Sequence, residues 1–282
     1  MRRSRTTVIA FLAASKLWLV LFFAVPMTAM ALYSFWQVVD YQIVADFTLG
    51  NYRRISGNLY VGVFSRTVRI SVLVTVLSLL IGYPVAYFLA KKVRYWKLTL
   101  LLLVVMPLWT SYLIRTYAWM LILGTEGVVN RLLLAAGLTT EPLTWLLYSD
   151  FAVTIALIHI YIPYLILPLY AVLERIEPSI LEAAWDLGSS RVRTFFTVIL
   201  PLSLPGVATG CLFVFIPSMG AFITPELLGG TQSIMIGSII AQQFGVAYDY
   251  PFGSALALVL MGLILAASAL LLRGGRLQGA AE

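Results

Sequence analysis

Glu182-Ala183-Ala184-Trp185-Asp186-Leu187-Gly188 stands in a polar island between two long apolar runs. Pro178 suits the first turn of a helix, where its missing N–H costs nothing. Ile180, Leu181, Ala184 and Trp185 then fall on one stripe at helical spacing, and Glu182 and Asp186 sit four apart on a neighbouring face. Gly188 is placed to stop the helix, since only glycine enters the left-handed cap freely. Beyond Ser189-Ser190 a second helix carries Arg191, Arg193, Phe195 and Phe196 into Ile199-Leu200-Pro201. The loop 174–201 therefore predicts two short helices with a glycine corner. Ala183 and Ala184 keep one flank low, so that another backbone can approach. The apolar stripe needs something to cover it, and the residues alone leave two choices open: the chain's own helix ends, or another chain.

The runs on either side of this island set the class. Of 282 residues, 61% are hydrophobic and 11% charged, against about half and a quarter in soluble domains. The excess lies in runs of about 20 residues, the length that crosses roughly 30 Å of hydrocarbon. Segments of about 10 alternating residues, which a barrel would need, are not visible. The sequence thus predicts an all-α integral membrane protein in one domain, with six spans near 17–36, 69–90, 98–123, 151–173, 202–224 and 252–272. Cys211 and His159, one of each in the chain, read as packed helix residues, because together they form no metal cluster and no intrachain disulfide.

With six spans both termini share a side. That side carries Arg2, Arg3, Arg5, Lys16, Lys91, Lys92, Arg94, Lys97, Arg175, Arg191, Arg193, Arg273 and Arg276, which are 13 of the 19 basic residues, with Glu174, Glu177, Glu182, Asp186 and Glu282. The other side has six basic residues and seven acids. Basic loops stay in the cytoplasm, so both termini and the Glu182–Gly188 loop are expected there. The net charge of +7 is then an orientation signal that meets lipid headgroups, with no nucleic acid implied. Arg2-Arg3-Ser4-Arg5 and Ala29-Met30-Ala31 imitate a signal peptide, but Lys16 delays the apolar core, and the first span reads as uncleaved. Arg115, 18 residues beyond Lys97, is expected roughly 27 Å up, near the outer interface, among the aromatic residues Tyr112, Tyr117 and Trp119. Pro84, Pro107, Pro163, Pro168 and Pro217, with Gly82, Gly206, Gly210 and Gly220, mark bent helices that can line a cavity.

The spacing Glu182-Ala183-Ala184, three residues, Gly188, nine residues, Val198, one residue, Leu200-Pro201 resembles the cytoplasmic EAA loop of ABC importer permeases, with Val198 where that family more often has Ile. Pro107-Leu108-Trp109-Thr110-Ser111-Tyr112-Leu113-Ile114-Arg115-Thr116-Tyr117, Leu227-Leu228-Gly229-Gly230 and Tyr250-Pro251-Phe252-Gly253 are similar to the spermidine/putrescine branch, first-permease-subunit type. The resemblance covers nearly the whole chain. It implies a type I importer fold, with Glu182, Ala183, Ala184, Asp186 and Gly188 coupling to a separate ATPase. It also implies a bacterial inner-membrane complex of a homologous second permease, two ATP-binding subunits and a periplasmic or lipid-anchored substrate-binding protein. Permeases for iron, phosphonate, thiosulfate and opines are related, so the substrate is less firmly implied than the family.

Two absences agree with this. There is no G-x-x-x-x-G-K-[ST] phosphate loop, and none of the four lysines follows a glycine, so the chain is expected to bind no cofactor and to leave ATP to a partner. Mid-span charges that an ion-coupled transporter would need, and paired catalytic residues that a membrane enzyme would need, do not stand out. A path for a polycation needs acids and aromatic faces. After the fifth span these are Phe222, Glu226, Tyr248 and Asp249, joined by Trp109 and Tyr112 of the third span; Asp40 and Asp46 lie in the first outer loop. Glu226, at the mouth of the fifth span, is the foremost candidate; the alternative is an ordinary solvated acid.

Overall fold

The computed structural model describes residue 13, residues 16–231 and residues 233–279, with side chains described as far as residue 271. Arg2, Arg3, Arg5 and Glu282 lie outside the described residues, as do the side chains of Arg273 and Arg276. Among the described residues twelve helices, besides a 3-10 turn at Thr144–Leu146, and one hairpin follow in order. They are α1 (Lys16–Tyr33), β1 (Gln37–Val39), β2 (Gln42–Val44), α2 (Gly50–Ile55), α3 (Asn58–Lys91), α4 (Lys97–Trp109), α5 (Tyr112–Leu123), α6 (Val128–Ala135), α7 (Asp150–Glu174), α8 (Pro178–Asp186), α9 (Arg191–Met219), α10 (Ile223–Leu228), α11 (Ile236–Gly245) and α12 (Tyr250–Gly279). Among the described residues six helical segments are long and apolar enough to cross a membrane. The sequence reads as one domain; packing sorts the chain into two compact units, Met1–Val61 with Ile239–Gly262, and Gly62–Ser238 with Leu263–Glu282.

The second unit is built on α7. Ala152, Val153, Ala156, Leu157, Leu165, Leu169 and Leu173 are fully buried, so this helix is apolar on nearly every side, as a central helix must be. Its closest neighbour is α9. A Cβ on Gly206 would lie 3.0 Å from the Val172 Cβ and 3.2 Å from the Leu169 Cα, and one on Gly210 would lie 3.0 Å from the Leu165 carbonyl oxygen. Glycines four apart thus let two backbones touch, which in lipid substitutes for the missing hydrophobic drive between helices. On another side Gly82 of α3 receives the Leu165 side chain. Hydroxyls in these helices bond within their own turn: Thr67 to Val63, Thr75 to Ser71, Thr154 to Asp150 and Ser218 to Val214 carbonyls. Across helices, the Tyr83 hydroxyl meets Ser203 at 2.9 Å. Two ion pairs bracket α7, Arg69–Asp150 at one end and Lys97–Glu174 at the other, each 2.7 Å.

In the first unit, a hairpin turns at Asp40 and Tyr41, both with positive φ, the geometry that matches the twist of a two-residue hairpin. Asn51 donates to the Ser34 and Trp36 carbonyls, fastening α2 to the end of α1. Arg54 lies 3.8 Å above the Phe252 ring and pairs with Asp249 at 3.1 Å.

Three spans and the 174–201 loop differ from the sequence reading. The second span, α3, simply starts earlier, at Asn58 rather than near 69. The span expected over 98–123 is not continuous. Pro107 cannot donate to the carbonyl four residues back; the helix tightens into a 3-10 turn over Met106–Trp109, and Thr110 and Ser111 are extended before α5 begins. The second short helix of the 174–201 loop is not separate either. It runs from Arg191 through a π-turn at Phe195–Ile199 into the fifth span. That span ends at Met219, short of 224, and Ile223 opens a new short helix.

Gly210→Ala is expected to lower stability by about 1–3 kcal/mol, because its methyl meets backbone that cannot move aside. Gly62→Ala, whose methyl meets nothing within 4 Å, is expected to be neutral or to stabilise by up to about 1 kcal/mol. Thermal unfolding of both purified variants in the same detergent checks the contrast.

Candidate functional site

The Glu182–Gly188 stretch forms the corner the sequence predicts. Glu177 is extended and Pro178 opens α8. At the other end Gly188 has φ +81°; its N–H donates to the Trp185 carbonyl at 2.8 Å, and the Ser189 N–H to the Ala184 carbonyl at 3.0 Å. This is a Schellman cap, in which the left-handed residue lets two amides turn back on the last carbonyls. Ser190 restarts the chain, its hydroxyl accepting from the Arg193 N–H at 3.3 Å. Thr194 is buried and donates to Ser190. Phe195 packs edge-on against Tyr83 and Tyr87 of α3. On the other flank Lys91 donates to the Ile176 carbonyl. The corner is therefore tied to α3, α7 and α9 rather than tethered loosely.

The chain's own core covers only part of the apolar surface of this corner. Leu181 is 9% exposed and packs into the chain's own core, whereas Ile180, Trp185 and Leu187 remain 43%, 46% and 89% exposed. Beneath α8 is a cavity of about 280 Å³, walled by Tyr87, Lys91, Leu181, Glu182, Trp185 and Arg191 among others. Glu182, Ala183 and Asp186 are exposed and Ala184 is half-buried. The corner thus presents a short ridge of aliphatic and aromatic groups flanked by two carboxylates, on a rigid base.

A second group of residues gathers around the break between α4 and α5. The Tyr112 hydroxyl is 2.6 Å from Thr224 Oγ1 of α10, and Thr116 is 3.3 Å from the same atom. The Tyr112 ring lies 6.4 Å from that of Tyr161, whose hydroxyl donates to the Pro217 carbonyl at 3.4 Å. Phe222 precedes α10 and its carbonyl accepts from Ser238 Oγ at 3.1 Å. Glu226, in the first turn of α10, is exposed, and Trp109 is 73% exposed. Tyr112, Phe222 and Glu226 are thereby joined through α10, with Trp109 at the edge of the break.

Tyr248 and Asp249 belong to the first unit. Both Asp249 oxygens are engaged: Oδ2 with Arg54, and Oδ1 with the Phe252 N–H at 3.1 Å, which caps α12. Tyr248 is exposed with φ 54°. Asp46 accepts from Gln37 at 3.1 Å, and Asp40 serves the hairpin turn.

Sequence reading missed Thr224 and Tyr161, and His159, expected there as a packed helix residue, is instead exposed. The Trp119 indole N–H donates to His159 Nδ1 at 3.2 Å, and Arg115 Nη1 donates to the Ile160 carbonyl at 3.3 Å. This second contact corrects the interfacial placement of Arg115. Ile160 is ten residues along α7 from Asp150, roughly 15 Å below that end, so the guanidinium reaches inward, away from the interface. No local signal marks such pairs, which join residues 40 or more apart.

Six helical segments long and apolar enough to cross a membrane, with an amphipathic corner set between the fourth and fifth, define a multi-pass membrane protein. Residues 78–274 match the family of binding-protein-dependent transport system inner membrane components, and the chain belongs to that family. It is 39% identical over 252 residues to the spermidine/putrescine transport system permease protein PotB of Escherichia coli, covering 88% of this chain and 91% of that one. It is 37% identical to PotB of Haemophilus influenzae, covering 88% of each. Among solved structures it shares the type I ABC importer permease fold with a bacterial ABC transporter involved in the import of the acidic polysaccharide alginate. The TM-score there is 0.69, at 17% identity over 96% of this chain and 95% of that chain.

Because the space around Gly188 is open, substitution there acts through the backbone alone. Gly188→Val is expected to cost about 1–2 kcal/mol locally and to speed amide hydrogen exchange at Ser189, while Gly188→Asn, which tolerates the left-handed region, stays close to the wild type.

Proposed function

We propose that this chain is a permease subunit of an ATP-driven importer for polyamines, forming half of the translocation pathway with a homologous second permease. In this reading a substrate-binding protein delivers spermidine or putrescine on the outer face. Two ATP-binding subunits hydrolyse nucleotide on the cytoplasmic side, and both termini and α8 lie on that side. The polyamine reading rests on the similarity to spermidine/putrescine permeases over most of the chain. The coupling role rests on one observation: α8 holds Ile180, Trp185 and Leu187 exposed on a base fixed to three spans.

The mechanism follows from that base. A motor subunit that grips the ridge between Glu182 and Gly188 moves α8 as a body, since the Schellman cap and the Ser190 cap leave the corner few soft torsions. Its motion passes to α7 through Ile176 and, across the capped corner, to α9, which runs on into the fifth span. The positive balance of residues such as Lys91, Lys92, Lys97, Arg191 and Arg193 supports the cytoplasmic placement of this face. On the pathway, Glu226 offers a carboxylate to an arriving ammonium, and Phe222, Trp109 and Tyr112 offer aromatic faces, contacts of about 0.5–2 kcal/mol each. Tyr248 is a further aromatic contact on the outer side, and Asp249 contributes through the cap and the Arg54 pair that hold the start of α12.

Two variants test the two halves separately. Glu182→Lys is expected to lower ATPase co-purification and ATP-dependent uptake together while the melting temperature stays unchanged; full retention of the ATPase would sink the coupling role. Glu226→Gln is expected to slow spermidine uptake by vesicles several-fold with the complex intact, and wild-type uptake at limiting spermidine would remove Glu226 from the pathway.

A further inference from the structure

Arg115 is a charged side chain that the described fold satisfies only in part. Its Nη1 reaches the Ile160 carbonyl, while its Nε is buried without a partner. Three ion pairs of the described residues are Arg54–Asp249, Arg69–Asp150 and Lys97–Glu174, and none of these includes Arg115. The last two give its depth. They mark the ends of α7, and Ile160 stands ten residues from Asp150 and fourteen from Glu174, roughly 15 Å and 21 Å along the axis. The guanidinium therefore lies inside a hydrocarbon layer of about 30 Å. A bare cation at that depth is costly, and such residues pair with an opposite charge or face a watery cavity.

A second observation points to the same face. One turn before Arg115 the helix is broken, and Thr110 and Ser111 are extended and exposed. The break is level with the middle of α7, since Tyr112 faces Tyr161. Non-helical backbone at membrane depth is stable only against protein or water, not against lipid. Within the second unit the break stays exposed, so in a membrane this face needs protein or water over it. Water alone would hydrate the backbone but leave a fixed positive charge beside a path for polycations.

We propose that Arg115 is one half of an intramembrane ion pair whose carboxylate is supplied by the second permease subunit, seated over the α4–α5 break. This rests on the two-permease reading above. The planar fork of arginine suits a carboxylate acceptor, with the Ile160 carbonyl fixing its orientation. The pair neutralises the charge before the substrate arrives and sets the register between the two permeases.

The test uses the complete importer in detergent, with this chain tagged. Arg115→Gln is expected to weaken retention of the second permease roughly 3- to 30-fold, the range of polar contacts between membrane helices, and Arg115→Lys less so. ATPase retention and the melting temperature report that the variants are folded. Arg115→Glu is expected to abolish uptake and to be rescued by suppressors that convert an Asp or Glu in a span of the second permease to a neutral or basic residue. If the wild-type chain holds the second permease and Arg115→Gln holds it equally well, or if all suppressors fall within this chain, the ion pair is overturned and the two-permease reading survives. A wild-type chain that retains no second permease overturns both.

Discussion

The backbone contact between α7 and α9 is what the second unit is assembled on. Gly206 and Gly210 admit the α7 main chain at Leu165 and Leu169 to within the distance a single methyl would occupy. Nothing in a lipid solvent presses these helices together by hydrophobicity, since the tails are as apolar as the side chains. Close packing over a long interface must supply the attraction, and only glycine at both positions allows it. Gly82 repeats the device for α3 on another side of α7.

The two candidate sites inherit their positions from this contact. The α8 corner closes the short path from the end of α7 to the start of α9, so the separation of those helices fixes where Glu182 and Trp185 can stand. The broken-helix face is keyed to α7 as well, through the Arg115 contact at Ile160, the Trp119–His159 bond and the Tyr112–Tyr161 rings. A single helix thus bears the hinge of one site at its Glu174 end and the acceptor of the other fourteen residues earlier. Pro163 and Pro168 lie between them, each removing one internal hydrogen bond from the stretch that joins the two.

Polar groups are distributed according to the same economy. Thr67, Thr75, Thr154 and Ser218 inside the spans bond back to their own helix, so they ask for no partner elsewhere. Asp249, Asp150 and Glu174 are each held by a basic residue. Against that background the exposed carboxylates Glu182, Asp186 and Glu226, and the half-satisfied Arg115, are among the polar groups left for other molecules to meet.

The local features were legible in the chain because their causes are local. Runs of apolar residues give spans through their length; Pro178, Gly188 and Ser190 give the ends of the corner through φ preference and capping; Glu182 to Gly188 give its two faces through helical period. The depth of Arg115, the break at Thr110-Ser111 and the union of Tyr112, Thr116 and Thr224 were decided only in the folded molecule. Each depends on how far one helix slides and turns against another, which is set by the summed packing of residues 40 to 120 apart. A span of hydropathy records that a segment is buried in apolar surroundings. It does not record what lies beside it, and so Asp249 reads as a free acid in the sequence while the structure places it between an arginine and a helix start.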